Sequence, residues 1–256
     1  MPEFDGVIFS DLHLSPDTTS LNEMFEAFVN QVSGTPHIAC LGDLTEYWIG
    51  YMQLRQPHGQ FVFDQLKKLA DGSEQAIWVG GNRDFLLHRQ AKQAGYKSYA
   101  NVFEGEFAGK RVALEHGDRF CTLDKEYQRF RWWFRKVPWG VLEILMTEKQ
   151  GHKLAKKVRG KSQGENVRKQ ISMFGMQDAP VERLIKRGAE YVVAGHVHTP
   201  FAKPYGQSKL LVNSDWREDG AVVCVAKDGE FKLMKFDGEG FKPFDAPTEQ
   251  KVYTAT

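Results

Sequence analysis

The chain has 256 residues, enough for one sizeable core, with 41% hydrophobic and 26% charged residues. Its net charge of +1 singles out no partner class, and no apolar run is long enough for a membrane span. Cys40, Cys121 and Cys224 are dispersed, which excludes a disulfide frame or a CxxC zinc site and fits reduced thiols in a cytoplasm.

The opening MPEFDGVIFSDLHLS has no basic segment before its apolar run, so a signal peptide is not expected. DGVIFSD (5–11) reads as a first strand. A capping box from Ser20 to Glu23 predicts a helix to about Val32, with Leu21, Met24, Phe25 and Phe28 on one face. HIACLGD (37–43) is a second strand, followed by a helix near 59–70 that stops at Asp71-Gly72. QAIWVGGN (75–82) is a third strand, after which Asp84 is expected to cap a helix ending at Gly95. KRVALEHGD (110–118) is a fourth, entered through a hairpin-like EFAGKR.

Residues 125–175 change character, with aromatic and basic residues but no strand pattern, and predict two or three inserted helices. Between Tyr127 and Gln170 there are twelve Lys/Arg against three acidic residues. Asp178 and Pro180 then open a helix ending at Gly188, and AEYVVAGHVH (189–198) is a fifth strand. SKLLVNSDW, GAVVCVAKDGE and FKLMKF predict a β meander turning at Asp228-Gly229, with an irregular tail from about Pro243. The alternation predicts one α/β domain over 1–256, with a helical lid insertion at about 125–175.

Five predicted strands end at residues that ligate metals or neighbour such residues: Asp11 and His13, Asp43, Asn82, His116, and His196 and His198. Taken singly, each reads as an ordinary cap or turn residue. Together they place a mixed oxygen and nitrogen set at the carboxyl ends of the strands, where open α/β sheets bind ligands. That set suits two divalent ions, Mn²⁺ foremost, with Fe²⁺, Co²⁺ and Zn²⁺ as alternatives. Asp43 is the natural bridge between them. Such a pair steadies both oxygens at a phosphorus centre and lowers the pKa of bound water, so the expected reaction is phosphoester or pyrophosphate hydrolysis.

The order D-x-H, G-D, G-N, H, G-H-x-H resembles the calcineurin-like metallophosphoesterase superfamily. The resemblance implies a four-layer α/β/β/α sandwich. It also implies one metal on Asp11, His13, Asp43 and His198, and a second on Asp43, Asn82, His116 and His196. Most of that superfamily continues GNH[DE], whereas this chain reads GNRD. A planar guanidinium at Arg83 suits bidentate capture of a phosphate, although pairing with a nearby carboxylate is the plainer alternative.

GNRDFLL is similar to one branch, the UDP-2,3-diacylglucosamine pyrophosphatases of lipid A biosynthesis. Further matches are GDLTEYWIG (42–50), HGDRFCTLDKEYQRFR (116–131) and VRGKSQGENVRK (158–169), so the similarity spans about residue 7 to the SDW at 214–216. It implies substrate contacts at Asn82, Arg83, Asp124, Ser162, Asn166, Lys169 and His196. Asn82, Arg83 and His196 would steady the charge on the reacting phosphate. The expected products are UMP and 2,3-diacylglucosamine 1-phosphate, with another nucleotide diphosphate or phosphodiester as the alternative substrate.

Tyr127, Phe130, Trp133, Phe134 and Val137 share one predicted helix face, which any ordinary core contact would also explain. With VLEILM (141–146) and the basic surplus, they fit a lid that rests peripherally on an anionic membrane from the cytoplasmic side. Nucleic acid is disfavoured, because the aromatics cluster with aliphatics rather than forming a stacking surface. The YMQLRQPHG after WIG, the Asn213-Ser214-Asp215-Trp216 element and the long tail depart from the branch pattern and bear on substrate rather than on chemistry.

Overall fold

The computed structural model describes residues 3–48, 50–136 and 175–250. Two sheets carry the chain. The first has seven strands in the order β12-β11-β10-β1-β2-β3-β4. Its members are β1 (Gly6–Phe9), β2 (His37–Cys40), β3 (Gln75–Val79), β4 (Lys97–Tyr99), β10 (Ala221–Lys227), β11 (Glu230–Phe236) and β12 (Phe241–Pro243). The second has five, in the order β5-β6-β7-β9-β8. These are β5 (Val102–Phe107), β6 (Lys110–Glu115), β7 (Tyr191–Ala194), β8 (Phe201–Tyr205) and β9 (Ser208–Val212). The helices are α1 (Thr19–Val32), α2 (Pro57–Asp71), α3 (His88–Gln93), α4 (Lys125–Lys136) and α5 (Asp178–Lys186).

Strand alternation builds the layers. Val7, Phe9, Ile38 and Trp78 face α1 and α2 and pack on Phe25, Phe28 and Leu66. Their neighbours Ile8, Ala39 and Ile77 point the other way, into a second core with Val112, Leu114, Val193 and Leu211. Ala113, Val192 and Leu210 cover the far face of the second sheet and meet Val181 and Leu184 of α5. Three apolar interfaces between helix, sheet, sheet and helix make the expected four-layer sandwich, with both sheets apolar on both faces. Fully burying a side chain such as Phe28 contributes about 1.5–3 kcal/mol.

Several local expectations are corrected. Helix α1 begins at Thr19, so Ser20 already lies inside it and no capping box forms. The chain is turned there instead by Thr18, whose Oγ1 accepts from the Ser15 N–H at 2.9 Å and donates to the Ser15 carbonyl. After β3 there is a 3-10 turn at Phe85–Leu87 before α3, and the Asp84 side chain caps neither. The expected meander is split between sheets. β9 pairs in parallel with β7, while β10, β11 and β12 form the antiparallel run of the first sheet. The turns at Ala108-Gly109 and Asp228-Gly229 have positive φ at both residues, as two-residue hairpins need. Of the expected insertion, α4 is described, and residues 137–174 lie outside the described residues.

Candidate metal centre

β1, β2 and β3 run parallel in the first sheet, and β6, β7 and β9 run parallel in the second. All six point their carboxyl ends at one edge, and the loops leaving β1, β2, β3, β6 and β7 carry the expected ligands. Cross-sheet hydrogen bonds tie these loops together: Leu41 accepts from His116 Nδ1 at 2.8 Å, and the Asp11 carboxylate accepts from the His196 N–H at 2.9 Å. Among the described residues, seven non-glycine positions have positive φ, and five of them are Asp11, His13, Asp43, His196 and His198. The left-handed region costs an ordinary residue about 1–3 kcal/mol, so the surrounding structure holds these side chains where a relaxed strand would not put them.

The donor atoms converge in two groups. Asp11, His13 and His198 offer ligand atoms within 4.8 Å of one another, and so do Asp11, Asp43 and His116. His13 Nε2 lies 3.1 Å from His198 Nε2. His116 Nε2 lies 2.9 Å from Asn82 Oδ1 and 3.2 Å from His196 Nδ1. Asp11 Oδ2 accepts from Ser10 Oγ and the His196 N–H, whereas its buried Oδ1 has no hydrogen-bond partner. Both ring nitrogens of His116 face oxygen acceptors, so a position that favours a proton on Nε2 also favours a cation beside it. An orphaned carboxylate oxygen, converging imidazoles and an amide oxygen fit first-row divalent ions well.

The electrostatics agree with this. Burial holds His13 and His196 down at about 4, so their lone pairs are available at neutral pH. Burial opposes a charge on His116 and His198 as well, but Asp43 beside the first and Asp11 beside the second outweigh it and raise both. Asp11 stays below the usual carboxylate range despite its burial, because His198 and His116 favour its charged form.

Two loops lock each other around Asp43. Its Oδ1 accepts from the Asn82 and Arg83 N–H groups, both at 2.9 Å. Asp84 returns the favour forty residues away: its Oδ1 accepts from the Asp43 N–H at 3.0 Å and its Oδ2 from the Leu44 N–H at 2.7 Å. Asp84 therefore binds a distant loop where a helix cap was expected, and no local signal distinguishes the two roles. Gly81 is required by this approach, since a Cβ there would sit 2.3 Å from both Asp43 N and Oδ1.

Arg83 donates from Nη1 to Glu46 at 2.7 Å and holds Nε 3.6 Å from Asp43 Oδ2, with its side chain 32% exposed. The plainer expectation for Arg83, pairing with a nearby carboxylate, is what the structure shows, and this pairing places the guanidinium beside the donor set. Asp124 is buried, and its Oδ1 accepts from the Tyr127 N–H at 3.0 Å, which makes it the N-terminal cap of α4. Among its described side chains, the expected aromatic face of α4 is only partly turned inward. Tyr127 turns inward with its ring stacked near His196 at 6.2 Å, while Phe130 and Trp133 are 42% and 62% exposed. Ser162, Asn166 and Lys169 lie outside the described residues. Glu46, Asp84, Asp118 and Asp215 are polar neighbours of the centre that the sequence patterns did not assign to it. Asp215 is 3.6 Å from His198 Nδ1.

The calcineurin-like phosphoesterase family matches residues 7–200, most of the chain and all seven expected metal-ligating positions. The chain belongs to that family. Curated relatives include the UDP-2,3-diacylglucosamine hydrolase of Shewanella piezotolerans, 34% identical over 224 residues that cover 85% of this chain and 92% of that one. The UDP-2,3-diacylglucosamine hydrolase of Aeromonas hydrophila is 33% identical over 241 residues, covering 89% and 96%. A solved archaeal phosphodiesterase aligns at a TM-score of 0.48 and 12% identity, covering 90% of this chain and 99% of that one. As a calcineurin-like phosphoesterase the chain is a metal-dependent hydrolase of phosphoester or pyrophosphate bonds. Among the described residues no helix is long and apolar enough to cross a membrane.

Glu115, beside His116 in sequence, gives a pH test of the buried network. It is 1% exposed, and burial lifts its carboxyl to about 7 although Arg119 lies 3.5 Å away. Raising an acid's pKa on folding means that its ionised form opposes folding. This contribution to stability therefore declines as pH climbs from 4.5 to about 7 and is flat above that. Glu115→Gln is expected to gain up to about 3 kcal/mol relative to the parent at about pH 8, and to gain little at about pH 5. Urea denaturation at both pH values would show it, and equal differences at the two would refute it.

Proposed function

We propose that this phosphoesterase hydrolyses the pyrophosphate of UDP-2,3-diacylglucosamine to UMP and 2,3-diacylglucosamine 1-phosphate in the lipid A pathway, using Mn²⁺. The observation that carries the reading is Arg83, a half-exposed guanidinium 3.6 Å from the carboxylate at the middle of the donor set. Relatives bearing that hydrolase name match over most of both chains. Asp11, His13, Asp43 and His198 would hold one ion, and Asp43, Asn82, His116 and His196 the other. Divalent ions bound there supply charge stabilisation at phosphorus and a water of lowered pKa.

The remaining work falls to side chains. Asp43 Oδ1 is committed to two backbone N–H groups, so Oδ2 is the oxygen left to face both halves of the donor set. Arg83 would exchange Glu46 for a phosphate oxygen, while Asn82 and His196 would steady the charge that builds up on the reacting group. Asp124, Ser162, Asn166 and Lys169 would complete the hold on the nucleotide sugar. The exposed Phe130, Trp132 and Trp133 on α4 support a peripheral seat on the anionic inner face of the cytoplasmic membrane.

Purified protein with Mn²⁺ is expected to release UMP from the diacylated substrate, and a chelator to stop it. Equal or faster turnover of UDP-glucose would instead favour a different nucleotide diphosphate. Arg83→Ala is expected to lower kcat/KM by about a hundredfold, in line with losing one charged group aimed at the reacting phosphate. An unchanged kcat/KM would end the phosphate-gripping role.

A further inference from the structure

Asp118 lies two residues past His116 and is 1% exposed. Three side chains from two successive turns of α4 reach it. Tyr127 Oη donates to Asp118 Oδ2 at 2.8 Å, and Arg131 Nε donates to the same oxygen at 2.5 Å. Gln128 Nε2 donates to the Asp118 carbonyl at 2.8 Å. Arg131 extends the contact through Nη2 to Asn101 Oδ1. The Tyr127 ring that this arrangement orients is the one stacked near His196. In most soluble helices an apolar stripe fixes the seat. In α4 Phe130, Trp132 and Trp133 are exposed, while polar contacts from Tyr127 and Arg131 to one buried carboxylate help to hold the helix.

We propose that Asp118 is a positioning residue that seats α4 on the metal centre and sets where Tyr127 lies against His196. It touches neither substrate nor reacting atoms. A carboxylate serves better than an amide, because one ionised oxygen accepts from both a phenol and a guanidinium, and charge-assisted bonds of this kind are the strong ones. The consequence is a division of labour. Hydrolysis of a small diester needs only the strand-end residues, whereas a substrate long enough to reach α4 also needs its seat.

The kinetic arm of the test rests on the substrate proposed above, and the exchange arm does not. Asp118→Asn is expected to raise the KM for UDP-2,3-diacylglucosamine about tenfold, the lower end for losing a supporting partner. Its turnover of bis(4-nitrophenyl) phosphate should stay within about twofold of the parent. Amide hydrogen exchange in residues 125–136 should speed up while that in β6 and β7 does not. Arg131→Gln should reproduce the exchange change, and combining it with Asp118→Asn should add little, because the two share one interaction. Equal losses on both substrates would overturn the proposal in favour of a direct role at the centre, and unchanged exchange would overturn it outright. If the parent turns over the small diester but not the diacylated nucleotide sugar, the substrate reading fails and the exchange results decide the role of Asp118.

Discussion

Asp43→Ala is expected to abolish hydrolysis, with a loss of at least about a hundredfold to a thousandfold, the range seen on removing one preorganised stabilising group. The substitution strikes twice. Oδ2 is the atom that lies 3.7 Å from His116 Nε2 and 3.6 Å from Arg83 Nε, at the junction of the donor set. Oδ1 fixes the Asn82 and Arg83 backbone, so its loss also frees the loop that carries the proposed amide ligand. Asp43→Asn separates the two effects, because an amide oxygen can keep the backbone contacts while the charge is lost. We expect Asp43→Asn to fold with near-parent stability and to remain inactive. Denaturation midpoints and Mn²⁺-dependent diester hydrolysis measure the two halves, and substantial activity in either variant would rule out the central position assigned to Asp43.

Asp84→Ala is expected to be the most destabilising single change near the centre. It leaves the N–H groups of Asp43 and Leu44 buried without acceptors, at about 1–3 kcal/mol each, hence about 2–6 kcal/mol together. Asp84 ionises reluctantly, since burial first and the Asp43 charge second lift its carboxyl to about 7. Part of the loss is therefore offset above that pH, where the parent carries an unfavourable charge. Mn²⁺ affinity should fall about 10–100-fold as Asp43 drifts, as is usual for partners that orient a ligand. Calorimetric titration with Mn²⁺ and urea denaturation would detect both effects. Parent-like affinity in a folded Asp84→Ala protein would show that Asp84 supports the fold alone.

The strand-end candidate ligands were legible because each follows a short apolar run, and a run that stops at Asp, Asn or His is visible without any tertiary knowledge. The four layers were legible only through the family resemblance. Periodicity says that SKLLV and GAVVCV are strands, but both have apolar faces, so nothing local assigns them to different sheets. β8 (FAKPY) and β12 (FKP) escaped notice because edge strands carry the Lys and Pro that otherwise argue against a strand. Asp84 was misread because a helix-capping aspartate and one that binds a loop forty residues away have the same local sequence. Asp118 was hidden in HGD for the same reason, since its partners become neighbours only when α4 lies down beside it.

For this backbone, losing the chemistry is the downhill direction. Asp11, His13, Asp43, His196 and His198 are all held at φ between 52° and 71°, where glycine rests without strain. A drift to glycine at His198, the half-exposed member of this set, would relax the chain while removing a ligand. Descendants freed from selection for hydrolysis could then grow more stable as they forgot it, keeping the sandwich as a rigid platform for other uses. Each of the five side chains is thus kept against a backbone cost of about 1–3 kcal/mol, which glycine at that position would relieve.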